Sequence, residues 1–479
     1  MVTWFRKKAP FDLDTVLFAL SRRDRFTFRS AAEGVAIFGG IGSGKTSGSG
    51  RLLALSYLRH GMGGLVLCAK GDERASWERY AEEAGRSNDL VIFSPAHEAR
   101  FNPLDYEMHR PGHGSGEVEN GVQLLLTLAR AADMQKNSGG SGDRFWMDSM
   151  AELLRNALTL LYYADDEISL PRIAELIAEA PLSPEMLHHP EWRKKSGCLQ
   201  LVNRAKAQAL TTQAHKDVKL AEQYWLNAFP NLAERTRSVV LATFSGLVDA
   251  LIRSTLGELF STGTTITPDD TFDGKVIILD LPVLSYGQVG LLAAIQFKTM
   301  FQKAVLRRDV RREPRPVFLW ADEAHNFCSS FDATYQAQCR SFRGCTVYLN
   351  QSLPLYRTVL GGSDHTDAFM GNLNVKIFHN NADPVTNQWA ANLIGREWLS
   401  RSSYSSGMNA GMRGQAGTSI GASMQDHYHH AVDPKMFTLL RTGGPQNRRN
   451  VDAIIVRGGQ VFRATRARHM RTTFKQAKQ

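Results

Sequence analysis

Residues 39–46 read Gly39-Gly40-Ile41-Gly42-Ser43-Gly44-Lys45-Thr46, a complete GxxxxGK[ST] loop. Glycines at these positions let successive backbone N–H groups converge on an anion without Cβ clashes. The flanks supply what such a loop needs. Val35-Ala36-Ile37-Phe38 reads as a buried strand running into it, and Arg51 to His60 as a helix running out of it, its N-terminus aimed at the same anion. In a strand–loop–helix of this kind Gly39, Gly40, Ile41, Gly42, Ser43, Gly44, Lys45, Thr46 and Ser47 wrap nucleotide phosphates. Lys45 reaches the β- and γ-phosphates, and the Thr46 hydroxyl goes to Mg²⁺. ATP and Mg²⁺ are the expected cofactors.

Such a loop needs an acid on another strand. Asp322-Glu323 supply one, at the end of the apolar run Val317-Phe318-Leu319-Trp320-Ala321. An acid at the carboxyl end of a strand faces the crevice where open α/β sheets bind ligands. Asp322 is the second Mg²⁺ residue, holding the ion through water, and Glu323 is the general base that polarises the attacking water. The next strand ends in Asn350-Gln351-Ser352, where Gln351 can sense the γ-phosphate. Between the two strands lies Arg340-Ser341-Phe342-Arg343, and Arg340 is placed to reach a neighbouring subunit's nucleotide. Lys45, Asp322, Glu323, Gln351 and Arg340 are thus the expected catalytic residues.

The rest of the chain fits an α/β protein with an interruption. Gly64 to Ala69 and Leu90 to Ser94 follow the loop as strands. From about Tyr106 to Arg235 the apolar spacing turns helical, most clearly in Trp146 to Ala164 and Leu170 to Ala180. The strand rhythm resumes with Lys275 to Leu281, Val317 to Ala321, Cys345 to Asn350, Val375 to His379 and Val451 to Val456. Runs this continuously apolar suit a mostly parallel central sheet covered on both faces. The expected organisation is an N-terminal segment 1–30, a first nucleotide-binding part 31–105, an all-α insertion 106–235 and a second nucleotide-binding part 236–479 with a basic tail. Ser402 to Ser423, rich in Ser and Gly, reads as a mobile loop.

The chain of 479 residues carries a formal net charge of +10. From Arg441 to the end ten Lys and Arg face one acid, Asp452, a net of +9. This asymmetry suggests nucleic acid or an acidic surface as partner, with Arg441 to Arg449 the favoured part. Five scattered cysteines without a CxxC pair point to reduced thiols and no zinc site. The start of the chain reads neither as a signal peptide nor as a bilayer span, which places the protein in the cytoplasm, at the inner membrane only through a partner.

Taken together, these motifs resemble the coupling ATPases of type IV secretion, the TraG/TraD class within the FtsK/HerA superfamily. The resemblance rests on the GGIGSGKTSG loop, Ala69-Lys70-Gly71-Asp72, Phe101-Asn102-Pro103-Leu104, Ala321-Asp322-Glu323, Cys339-Arg340-Ser341-Phe342-Arg343-Gly344-Cys345, Asn350-Gln351-Ser352 and Asp433-Pro434-Lys435-Met436-Phe437. It implies a RecA-like P-loop NTPase domain interrupted by an all-α domain, a homohexamer with subunit-interface nucleotide sites, Arg340 acting in trans, and DNA or nucleoprotein carried toward a secretion channel. It leaves open whether the DNA is single- or double-stranded. Three departures stand out. The class carries N-terminal transmembrane helices and this chain shows none; Cys68-Ala69 replace the usual Asp-Pro; and Arg343 stands where Gly is typical. The alternatives are a nucleotide-gated docking protein without processive movement, and a soluble DNA motor of the superfamily outside secretion.

Overall fold

The computed structural model describes residues 11–134, 143–410 and 416–477. In chain order its strands are β1 (Val16–Ala19), β2 (Arg25–Thr27), β3 (Val35–Phe38), β4 (Gly63–Leu67), β5 (Leu90–Phe93), β6 (Val276–Leu279), β7 (Val317–Ala321), β8 (Gly344–Asn350), β9 (Val375–Phe378), β10 (Arg396–Ala410), β11 (Ala416–His430), β12 (Asn450–Arg457) and β13 (His469–Lys475). Two compact units share them. One holds Tyr57–Thr346 with Phe11 and Asp12; the other holds Leu13–Ser56 and Val347 onward.

In the first unit β7, β4, β6 and β5 lie side by side, all parallel. Every residue of β4, β6 and β7 is buried, as expected for parallel strands covered on both faces. Between β5 and β6 the chain is helical, from Pro103–His109 through Asp143–Tyr163 to Ser254–Ser261. Local chemistry starts these helices. The Asn102 side chain accepts from the N–H groups of Leu104 and Asp105, with Pro103 at the first helical position. Ser169, Ser196 and Thr211 cap three others in the same way. Along Asp143–Tyr163, Leu153, Leu154, Ala157, Leu158, Leu160 and Leu161 are fully buried, one wide apolar face. The long helix Val283–Arg307 buries Lys298, whose ammonium donates to Asp332 and to the Phe327 carbonyl.

In the second unit the order is β13-β12-β9-β3-β8. β3 runs parallel to β8 and β9, while β12 is antiparallel to β9 and to β13. The expected mixed α/β architecture with a mostly parallel sheet is borne out. A small antiparallel pair, β1 with β2, precedes the sheet, held by stacking of Phe18 on Phe26.

Two stretches of this unit differ from expectation. Ser402 to Ser423 reads as a mobile loop, but its described residues, 402–410 and 416–423, belong to a two-stranded antiparallel ribbon. β10 and β11 pair in unbroken register from Arg396↔His430 to Ala410↔Ala416, and Trp398 packs on Tyr428 at the ribbon's base. Ser and Gly erase the apolar alternation by which strands are recognised. The second difference is β13. His469–Lys475 reads as basic tail but forms an edge strand, with Met470 and Phe474 turned inward. Among the described residues no helix is long and apolar enough to cross a membrane.

Candidate nucleotide site

The sequence-expected residues fall into two clusters, one in each unit. In the second unit the phosphate loop leaves β3 at Phe38. The Gly39 N–H donates to the Asn350 carbonyl (3.2 Å) and the Gly40 N–H to that of Asn380 (2.9 Å). Gly42 and Gly44 adopt φ of +71° and +81°, the left-handed region that L side chains rarely enter. A Cβ on Gly44 would also lie 2.7 Å from Val451 Cγ2 of β12, so both backbone and packing demand glycine there. Lys45 is 8% exposed, whereas Ile41 at the loop's tip is 89% exposed. Thr46 to Gly50 form a wide π-type turn that runs into the helix Arg51–Arg59, close to the helix read from sequence. The Ser43 hydroxyl is buried without a hydrogen-bond partner among the described residues. A buried polar atom left unsatisfied in a loop with two left-handed glycines fits an anion cradle.

Two residues that sequence reasoning passed over hold this loop in place. The buried His379, directly after β9, sits 2.7 Å through Nε2 from Ser49 Oγ, and its Nδ1 is 3.0 Å from the Asp452 carbonyl. Only Nδ1–H can donate to a carbonyl, so Nε2 accepts from the Ser49 hydroxyl. Burial, with the nearby Lys45 charge adding to it, pushes the His379 pKa down to about 4 and keeps the ring neutral. Gln476 forms a second tie, donating to Ser47 Oγ (2.7 Å) and accepting from the Gly444 N–H (2.8 Å). The available signal was a histidine ending an apolar strand. Gln351, half-buried, donates its N–H to Asn350 Oδ1 and accepts at its carbonyl from Asn381.

The basic C-terminal region is also rearranged relative to expectation. Arg441, with Arg471, forks onto the fully buried Asp452 carboxylate, which also accepts from Thr473. Arg457 makes a bidentate pair with Glu33. These three cations serve the sheet, so the net +9 overstates the charge this region offers to a partner.

The first unit carries the acids. Asp322 and Glu323 follow β7 and are 4% and 6% exposed. Asp322 Oδ1 accepts from the Glu323 N–H (2.9 Å), and Glu323 itself has φ +46°. Non-glycine residues in that region cost energy and cluster at active sites. Lys70, at the end of the strand-like run beginning with β4, donates to Glu323 Oε1 at 3.1 Å. Burial disfavours the Lys70 charge, but the bond to Glu323 and the negative Asp322 and Glu73 raise its pKa above the ordinary value. Glu73 is the third acid here, accepting from the Ala69 N–H (3.1 Å). Burial first, and the Asp322 charge second, push its pKa up to about 8.

Arg340 lies exposed in the turn Cys339–Phe342, between β7 and β8. Arg343, where glycine was expected by resemblance, adopts φ +55°, the conformation glycine would supply. Its guanidinium donates to the carbonyls of Phe11 and Pro314. All five cysteines are buried and unbridged.

Residues 316–430 match the family model described as the TraM recognition site of TraD and TraG. The chain resembles the TraG/TraD class. The matched stretch of this TraG/TraD-like chain contains Asp322, Glu323, Arg340, Gln351 and the β10–β11 ribbon. Solved structures of the plasmid coupling protein TrwB share the fold. An unbound form of bacterial conjugative TrwB is 15% identical at a TM-score of 0.57, covering 99% of this chain and 90% of that one. TrwB with a non-hydrolysable ATP analogue is 15% identical at 0.55, covering 99% and 91%. TrwB with ADP and Mg²⁺ is 13% identical at 0.54, covering 99% and 90%. No curated protein sequence matches the chain.

Proposed function

We propose that the protein is a Mg²⁺-dependent ATPase of the coupling type, which turns ATP and water into ADP and phosphate to move DNA or a nucleoprotein toward a secretion or conjugation channel. The observation that carries this reading is the loop Gly39–Thr46, with two left-handed glycines, a buried Lys45 and an unsatisfied Ser43 hydroxyl. It occurs in a chain whose residues 316–430 are TraG/TraD-like. TrwB, which shares the fold, has been solved with ADP and Mg²⁺ and with ATP and GTP analogues.

The roles follow from chemistry. Lys45 and the loop N–H groups bind and orient the phosphates; Glu323 polarises the attacking water, and Gln351 aligns it. Thr46 and Asp322 offer hard oxygen donors of the kind Mg²⁺ prefers, and the bound ion supplies positive charge against the phosphates. Arg340 acts on a neighbouring subunit's nucleotide in a homohexamer.

Turnover by the purified protein with and without single- and double-stranded DNA, at low and moderate salt, tests this reading, with Lys45→Ala as blank. Salt-sensitive stimulation by DNA supports a motor, because phosphate contacts weaken steeply with salt. Lys45-dependent turnover that ignores DNA favours a nucleotide-gated docking protein instead, a reading the TraM-recognition match also suits. No detectable turnover would sink the ATPase assignment.

A further inference from the structure

Besides Lys45 of the phosphate loop, Lys298 and Lys376 are buried among the described residues, and they are treated differently. Lys298 is neutralised by Asp332, with Gln302 completing the carboxylate's bonds. Lys376, the second residue of β9, is 6% exposed, and no carboxylate among the described residues pairs with it; its ammonium donates only to the Leu373 carbonyl. An uncompensated buried cation is costly, so a lysine retained there calls for a counter-charge. Burial alone brings its pKa down to about 8, which leaves it mostly charged at neutral pH.

Lys376 lines a pocket of about 280 Å³. That is many times the roughly 30 Å³ that one water occupies in the liquid. The same pocket is lined by Arg457, Gln460, Arg468 and Asn374 and by the glycine turn that follows β12, together with apolar side chains. Arg457 is spent on Glu33 and Gln460. Arg468 is exposed and makes no ion pair among the described residues. Two cations without a carboxylate partner, Lys376 and Arg468, therefore line one concavity, and no acid is among its lining residues. The pocket is separate from the phosphate loop. β9 runs parallel to β3 with Val375 opposite Val35, and the loop leaves β3 at its other end, after Phe38.

We propose that this pocket is a second anion site, which takes a phosphate group through Lys376 and Arg468. Arg468 supplies a planar fork suited to phosphate oxygens, and Lys376 a compact charge from a low-dielectric wall, where charge-assisted bonds are strongest. The phosphate can come from a free ligand or from a nucleic-acid backbone, and the test separates the two.

The Lys45→Ala protein serves as background, so that the phosphate loop does not report. Titration calorimetry with inorganic pyrophosphate, and in parallel with a short single-stranded oligodeoxynucleotide, is compared with the same protein carrying Lys376→Met or Arg468→Ala. Affinity is expected to fall at least about tenfold in both variants, the scale of a lost charged hydrogen bond. Loss with pyrophosphate assigns the site to a small anion; loss with the oligonucleotide alone assigns it to backbone phosphate. Unchanged affinity for both probes in both variants overturns the proposal. Arg468→Ala alters only an exposed side chain, so a folding failure of Lys376→Met leaves the test intact.

Discussion

Lys70 Nζ lies 3.1 Å from Oε1 of Glu323, so the carboxylate assigned to polarising water is tied to a cation. A carboxylate bonded to an ammonium is a weaker base than a free one. Lys70 is the more exposed partner of the pair, its side chain 43% exposed against 8% for Glu323. Lys70→Met is therefore expected to raise DNA-independent kcat roughly three- to tenfold at unchanged KM, because it removes a restraint on the base and no phosphate contact. Glu323→Gln in the same assay is expected to lower kcat by about 10²-fold or more. A fall in kcat for Lys70→Met comparable to that of Glu323→Gln would show that Lys70 takes part in turnover and does not hold the base back.

Gly44 is fixed twice, by φ +81° and by the closeness of Val451. Gly44→Ala is expected to cost about 1–3 kcal/mol in stability, from strain plus overpacking. Nucleotide binding should weaken with it, since the loop cannot keep its N–H groups convergent. Val451→Ala added to Gly44→Ala relieves the clash but not the backbone strain. Denaturant melts should then show partial recovery of stability. Full recovery would mean that φ at residue 44 carries no cost.

How much of this could be read from the chain differs from element to element. The phosphate loop and the strands β3, β6, β7, β8, β9 and β12 were legible because each is a short apolar run bounded by polar residues, and the loop is a pattern that tolerates little substitution. The acids Asp322 and Glu323 were legible from their place at a strand end. His379 and Lys70 were not, because their importance lies in partners distant in sequence: Ser49 and Asp452 for one, Glu323 for the other. The β10–β11 ribbon and β13 were hidden by composition. Ser and Gly blur alternation in the ribbon, and the cations of β13 are partly absorbed by Asp452 of the neighbouring strand.

His379 gives the fold a pH dependence of known sign. Its ring is neutral in the folded protein, with a pKa near 4, against about 6.5 when unfolded. Below pH 6.5 the unfolded chain takes up a proton that the folded one does not, so stability falls as pH drops and levels off near pH 4. The full effect is on the order of 3 kcal/mol. In urea melts, the difference in stability between the parent protein and His379→Gln should be constant above about pH 7 and shrink toward pH 4. A difference that stays flat throughout would show that the ring titrates in the fold as it does in the unfolded chain.

Arg340 separates chemistry within one chain from chemistry between chains. It is exposed, in a single turn between β7 and β8, where a neighbouring copy can reach it. If it completes a partner's site, Arg340→Ala should leave nucleotide affinity of the isolated chain within about twofold while lowering kcat of the assembled oligomer by about 10³-fold, the scale of a lost arginine finger. Mixing tests this directly. A doped assembly of Arg340→Ala with Glu323→Gln subunits should regain turnover, since an intact arginine from one subunit can then serve an intact glutamate in another. An arginine acting within its own chain predicts no regain, because every subunit in the mixture would still lack one of the two groups. Absence of recovery in a confirmed mixed oligomer would therefore place Arg340 outside the trans role.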